Sequence, residues 1–256
     1  MAETAEARID LNADVGEGYD DAPMFSFLSS VNVACGAHAG GADTMRATVQ
    51  RAAGVGLSIG AHPSFPDREG FGRRVTTTDP AEIVALVREQ TENLAKIAGA
   101  EGISLSHVKP HGALYNLAAS NRAAADAVAA AVASVDAALA LVGLAGSHSL
   151  AAAKSAGLVT IAEGFVDRGY RDDGSLAPRD TPGAVISDPD LASLRAVALA
   201  RSRRIESVSG RPIEVAAESL CLHGDTPGSV VIARRVHAAL REAGVTVMRP
   251  GKIAGR

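Results

Sequence analysis

Short apolar runs recur along this chain, and stretches with helical spacing fill the intervals between them. Runs at residues 9–13, 30–34, 57–60, 104–108, 140–143, 159–162 and 219–222 read as strands, with an eighth at 245–248. Strand then helix, repeated seven or eight times, predicts a parallel sheet with right-handed crossovers. Such a sheet either closes into a barrel or stays open. An open sheet concentrates its chemistry at one switch point, whereas a barrel collects it from the carboxyl ends of many strands. Here nearly every strand ends in polar residues, which favours the barrel.

Helix boundaries are legible too. Asp79-Pro80-Ala81-Glu82 supplies an N-cap, a first-turn proline and an acid ahead of Ile83, Leu86, Val87, Leu94 and Ile97. Further starts lie at Asp43, Asp188-Pro189 and Thr226-Pro227, and Gly54, Gly99 and Gly244 stand where helices stop. The alanine-rich run 123–133, with Val128, Val132 and Val135 spaced along it, reads as a tightly packed helix. The 256 residues, 47% of them hydrophobic, fit one (β/α) barrel domain over 1–256, with residues 1–7 as an N-terminal extension. No internal repeat and no long linker divides the chain.

A net charge of −4 makes nucleic acid an unexpected partner. The start "MAETAEA" lacks the pattern of a signal peptide, and no run of about 18 apolar residues follows. The expectation is a soluble, cytoplasmic protein without a membrane role. Cys35 and Cys221 are too few for a disulfide framework and are expected as reduced thiols. There is no GxxxxGK[ST] loop and no GxGxxG after a strand, so any nucleotide must be held by another arrangement or another subunit.

The strand ends carry the chemistry. They present Asn12, Asp14 and Glu17; Cys35 and His38; His62 and Ser64; Lys109 and His111; Glu163 with Asp167 and Arg168; and His223 with Asp225. One such residue alone is usually a cap or a satisfied loop group, but six strand ends together describe a barrel-mouth site. Two chemistries stay open. Asp14, His38, His62 and His111, with His223 as a further candidate, could ligate a divalent metal that activates water. Without metal, Asp14 or Glu17 is the candidate base and Lys109 stabilises developing negative charge. Cys35 reads better as a small buried residue than as a nucleophile. Arg168, Arg171 and Arg179 sit in a long Gly- and Pro-bearing loop suited to a lid that clamps a carboxylate or phosphate. Amides at Thr226, Gly228 and Ser229 could hold an anion, although capping explains Thr226 equally well. His107 shares a strand face with Lys109 and reads as a buried structural histidine. His148 reads as helix-start polarity, and His237 is assigned no chemistry.

Six segments, "DLNADVGEGYD", "NVACGAHAGG", "GAHPSFPDREGFGRR", "HVKPHGALYN", "FVDRGYRDDGSLAPR" and "CLHGD", closely resemble the LamB/YcsF family from Ile9 to the last strand. The resemblance implies an α/β fold, a seven-stranded (β/α) barrel related to the TIM barrel and similar to polysaccharide deacetylases. It implies opening of the lactam of 5-oxo-L-proline to L-glutamate, coupled to hydrolysis of ATP (with Mg2+), in a complex with 5-oxoprolinase subunits B and C. Asp14, Glu17, His38, His62, Asp67, Arg68, Lys109, His111, Tyr115, Glu163, Asp167, Arg168, His223 and Asp225 fall on its motif positions. From their chemistry, Asp14, Glu17, His38, His62, Lys109 and His111 are taken as catalytic. Tyr115, Glu163, Arg168, Arg171, His223 and Asp225 are taken as substrate- or phosphate-binding. Ala37 stands where the family often has a bulkier aromatic, and Gly41 where an acid is usual. Competing expectations are a metal-dependent deacetylase or amidohydrolase acting alone, and a non-catalytic subunit that presents substrate.

Overall fold

The computed structural model describes residues 7–250. In chain order these residues form β1 (Ala7–Val15), β2 (Ser30–Ala34), α1 (Ala42–Gly54), β3 (Ser58–His62), α2 (Pro80–Ala100), β4 (His107–Val108) and α3 (Gly112–Ser120). There follow α4 (Arg122–Val135), β5 (Ala140–Leu144), α5 (His148–Ser155), β6 (Val159–Phe165), α6 (Pro189–Ser202), β7 (Arg204–Glu206) and β8 (Pro212–Glu214). The last elements are β9 (Ser219–His223), α7 (Ser229–Glu242) and β10 (Val245–Val247).

Seven parallel strands close the barrel in the order β1-β2-β3-β4-β5-β6-β9, and β9 pairs with both β6 and β1. The expected eighth strand, β10, runs beside the first residues of β1, from Ala7↔Val245 to Ile9↔Val247, and takes no place in the ring. Ala7 therefore belongs to β1, while the rest of the expected N-terminal extension lies outside the described residues. The strand expected over 104–108 shortens to His107–Val108. Ser106 still keeps single ladder contacts, donating from its amide to Ile59 O and accepting from Ala140 N. A small antiparallel hairpin of β7 and β8 was not legible as strands.

Local chemistry explains the helices. Asp79 accepts from Ala81 N, Asn121 from Ala124 N, and Asp188 from Asp190 N and Leu191 N, so each side chain satisfies amides that a helix start leaves without partners. The helix expected at Thr226-Pro227 begins instead at Ser229, because Gly228 adopts φ +77 and breaks the run.

Two faces of each strand have different work. In β1, Ile9, Leu11, Ala13 and Val15 join the apolar core between barrel and helices. The alternate residues Asp10, Asn12 and Asp14 point into the lumen, as the two-residue period of a strand requires. There Asp10 accepts from the Ser29, Ser30 and Ser219 hydroxyls. Asn12 donates to Ser219 Oγ (2.7 Å) and Glu163 Oε1 (3.0 Å). Burial pushes the Asp10 carboxyl up to about 6 although the three hydroxyls work against it. Ala140, Val142 and Ile161 form a separate small apolar cluster. The lumen is thus filled largely by a hydrogen-bonded polar network, and this network carries the site above it.

Candidate active site

Lys109, at the end of β4, is 2% exposed and its ammonium is surrounded by acceptors. Nζ lies 2.9 Å from Asp14 Oδ1, 2.9 Å from Glu163 Oε1 and 3.0 Å from Cys221 Sγ. Burial works to lower the lysine pKa, but Asp14, Cys221 and Glu163 hold it well above the usual value. For Asp14, burial works upward and is outweighed by His62 and Lys109, so the carboxyl stays well below its usual range. Both groups are charged at neutral pH.

Beside this pair lies a nest of three imidazoles and one carboxylate. His38 Nδ1 is 2.9 Å from Ser64 Oγ, whose own proton goes to Phe65 O, so Nδ1 carries the hydrogen. His62 Nδ1 donates to Lys109 O (2.6 Å), and His111 Nε2 donates to Phe71 O (2.8 Å). The remaining nitrogens face inward. His38 Nε2 is 2.8 Å from Glu17 Oε1, His111 Nδ1 is 3.3 Å from the same oxygen, and His62 Nε2 is 3.0 Å from His111 Nδ1. With the outer nitrogens protonated, four lone-pair atoms converge, and only a proton or a cation reconciles them. One ligand atom from each of Glu17, His38, His62 and His111 falls within 4.8 Å of the others. Imidazoles oriented by hydrogen bonds on their far nitrogens, together with one carboxylate, suit a divalent metal such as zinc. The nest differs from the expected set of Asp14, His38, His62 and His111 because Glu17 is its carboxylate. Asp14 Oδ2 lies 3.3 Å from His62 Nε2, and Asp14 falls instead in a second set with Cys221 and His223, whose ligand atoms also lie within 4.8 Å of one another. Burial pushes His38 down to about 3 and, with His62, holds His111 well below its usual value, so neutral imidazoles are favoured.

Glycines and one strained residue build the wall. Gly72, at φ +66, would place a Cβ 2.8 Å from the His111 ring, and Gly112 would place one 2.6 Å from Gly72 O. Phe71 adopts φ +55, a left-handed conformation that costs a side-chain-bearing residue energy. That twist aims its carbonyl at His111, while its ring stands edge-on to His38 and His111.

A cavity of about 740 Å³ opens above these groups and reaches Tyr115, Arg168, Arg171 and His223. His223 Nδ1 and backbone N both bond Asp167, at 3.0 Å, and its ring stacks on Phe165. Asp225 pairs with Arg73 and lies 3.6 Å from Arg179. Arg168 is buried and donates to Ala177 O and Ala184 O, so it braces the long loop from beneath. Arg171 stays exposed at the rim. Tyr115 OH and Glu163 Oε2 are buried without a hydrogen-bond partner among the described residues.

Some expectations fail. The amide of Thr226 bonds His223 O, the amide of Ser229 bonds Thr226 O and the Thr226 hydroxyl bonds Asp167, so two of the three amides expected to hold an anion are already engaged. Burial pushes Cys35 up to about 12, and its thiol donates to Val33 O, which removes the nucleophile reading. Asp67 and Arg68 shape loops: Asp67 binds Arg74 and Gly70 N, and Arg68 donates to Gly36 O and Gly40 O. Asp43, the acid nearest Gly41, lies outside the site beside Arg46. Asn32, Arg73 and the Phe71 carbonyl went unnoticed in the sequence. Asn32 alone left a signal, as a polar residue amid the apolar run "SVNVA".

The sequence matches the model of the LamB/YcsF family over residues 9–254. The chain belongs to the LamB/YcsF family. Among LamB/YcsF relatives it is 50% identical over 246 residues to a 5-oxoprolinase subunit from Heliobacterium modesticaldum, covering 94% of this chain and 97% of that one. A solved structure, a lactam utilization protein from Thermus thermophilus, is 42% identical with a TM-score of 0.88, covering 94% and 99% of the two chains. A T48 deacetylase shares the fold, with a TM-score of 0.53 at 16% identity over 98% of this chain and 92% of that one. The LamB/YcsF barrel is therefore polysaccharide-deacetylase-like in architecture.

Proposed function

We infer that this chain is the ring-opening subunit of an ATP-dependent 5-oxoprolinase. It hydrolyses the lactam of 5-oxo-L-proline to L-glutamate while the assembly converts ATP, as its Mg2+ complex, to ADP and phosphate. The observation that carries the reading is the convergence of acceptors at the cavity floor next to a buried ammonium. A water placed there has bases on one side, and an oxyanion formed beside it has Lys109. Relatives named for the same reaction support it.

The division of labour follows from the contacts. Lys109, positioned by Asp14 and Glu163, meets negative charge as the carbonyl is attacked. Asp14, or Glu17 when no cation occupies the nest, takes the proton of the attacking water. Glu17, His38, His62 and His111 would hold a divalent cation, which when bound supplies a more acidic water. Arg171 and Arg179 at the rim face the substrate carboxylate or phosphate, and Tyr115 and His223 line the approach. An unstrained five-membered lactam is stable, so coupling to ATP makes chemical sense: phosphorylation of the amide oxygen turns it into a better electrophile. The chain carries no phosphate-binding glycine loop, which supports ATP use shared with subunits B and C. The cytoplasm is the proposed location, supported by the absence among the described residues of any helix long and apolar enough to cross a membrane.

The histidine nest also favours a second reading, a metal-dependent amidohydrolase that acts alone. Glutamate release from 5-oxoproline separates the two when assayed with this chain alone, with partners alone, and with both, each with and without ATP. Release only from the full mixture with ATP is expected. Release by the isolated chain without ATP overturns it in favour of the second reading.

A further inference from the structure

His107, deeper in the lumen on the Lys109 face of β4, has no part in the chemistry above. It is 1% exposed, with Nδ1 2.8 Å from Ser106 Oγ and Nε2 2.8 Å from Asn32 Oδ1. The Asn32 amide nitrogen donates to Asp14 Oδ1 and Asn12 Oδ1, each at 2.8 Å, so its oxygen can only accept. His107 Nε2 must therefore carry the proton, which in the neutral ring leaves Nδ1 to accept; the Ser106 hydroxyl, which also lies 3.1 Å from Ile59 O, turns its hydrogen to the nearer Nδ1. The Asn32 contact thus sets the tautomer.

The contact decides which way Asn32 faces. Turned over, the carboxamide would set its oxygen against an Asp14 oxygen and its NH2 against the His107 donor. With His107 in place, Asp14 Oδ1 receives both Asn32 and Lys109, and Oδ2 is left to the His62 side. Room for the ring is built in, since a Cβ on Gly60 would lie 2.2 Å from it.

We propose that His107 is a positioning residue for the reaction, fixing the Asp14 carboxylate through the Asn32 carboxamide. The proposal rests on the role assigned to Asp14 above. Its test is steady-state glutamate formation by the assembled complex carrying His107→Leu, His107→Gln, Asn32→Ala, the His107→Leu/Asn32→Ala double variant, or Asp14→Asn. His107→Leu is expected to lower kcat by roughly 10–100-fold with little change in KM, as for other groups that orient reacting residues. His107→Gln, which keeps a donor toward Asn32, restores most of the loss. The double variant is no worse than Asn32→Ala, because both changes cut the same connection. Full kcat in a folded His107→Leu complex, or additive losses in the double variant, overturns the proposal. If His107→Leu does not fold, His107→Phe, which fills the space above Gly60 without a donor, takes its place in the cycle. An active Asp14→Asn complex defeats the underlying reading instead, whereas an inactive one beside a fully active His107→Leu complex defeats this proposal alone.

Discussion

His62 Nε2 and His111 Nδ1 stand 3.0 Å apart while the far nitrogen of each ring donates to a backbone carbonyl. Two lone pairs facing each other need positive charge between them. With Glu17 and His38 closing the other sides, the nest suits a proton or a cation, and in the proposed function a divalent ion sits there. Elemental analysis of the purified protein is expected to find one divalent ion per chain, lost on Glu17→Gln or His111→Ala. Burial and Asp14 push the Glu17 carboxyl up to about 7, so near neutrality a proton competes for the site. Affinity measured by calorimetry should rise with pH through 7, with protons released on binding. Metal-free protein with no affinity for zinc or manganese would contradict this.

Phe71 holds its carbonyl against His111 by adopting a left-handed backbone. Phe71→Gly and Phe71→Ala lose the same ring, but only alanine keeps the strain. The glycine variant should be the more stable of the two by about 1 kcal/mol in urea unfolding. Equal stability would show that the φ of +55 stores no strain.

Lys109 separates Asp14 from Glu163. Lys109→Met leaves two buried carboxylates without their shared cation and should cost about 3–5 kcal/mol. Adding Glu163→Gln to that variant should recover part of the loss, because one of the orphaned charges is gone. No recovery would place the cost elsewhere than in the ion pair.

Burial and Lys109 hold His107 neutral, with its pKa lowered to about 3. Below the ordinary histidine value of about 6.5, the unfolded chain takes up a proton that the folded one refuses. This histidine's contribution to stability is therefore present above pH 6.5 and lost as the pH falls. Unfolding free energy measured from pH 6.5 to 4.5 should have a slope smaller in His107→Gln by up to about 1.4 kcal/mol per pH unit. An unchanged slope would mean that His107 titrates alike in both states.

Much of the barrel is legible because strand and helix periods differ and because Asp79 and Asp188 cap as their chemistry requires. Parallel strands also put their carboxyl ends together, which is why Asp14, His62, Lys109 and His223 meet although distant in sequence. Contacts set by three-dimensional placement are harder to foresee. Nothing in "DVGEGYD" says that Glu17, three residues past Asp14, turns back to the histidines. The amides near Thr226 look free until Gly228 delays the helix. Arg168 looks like a clamp until its burial beneath the loop shows it tied to Ala177 and Ala184 carbonyls.

The central claim is that this chain's own barrel opens the lactam. The direct measurement is ATP-dependent glutamate formation by the complete complex in which only this chain carries Asp14→Asn or Lys109→Ala. Loss of glutamate formation in both variants, with the complex still assembled, is the predicted result. Full activity of both would contradict the account and make the chain a subunit that presents substrate to chemistry elsewhere.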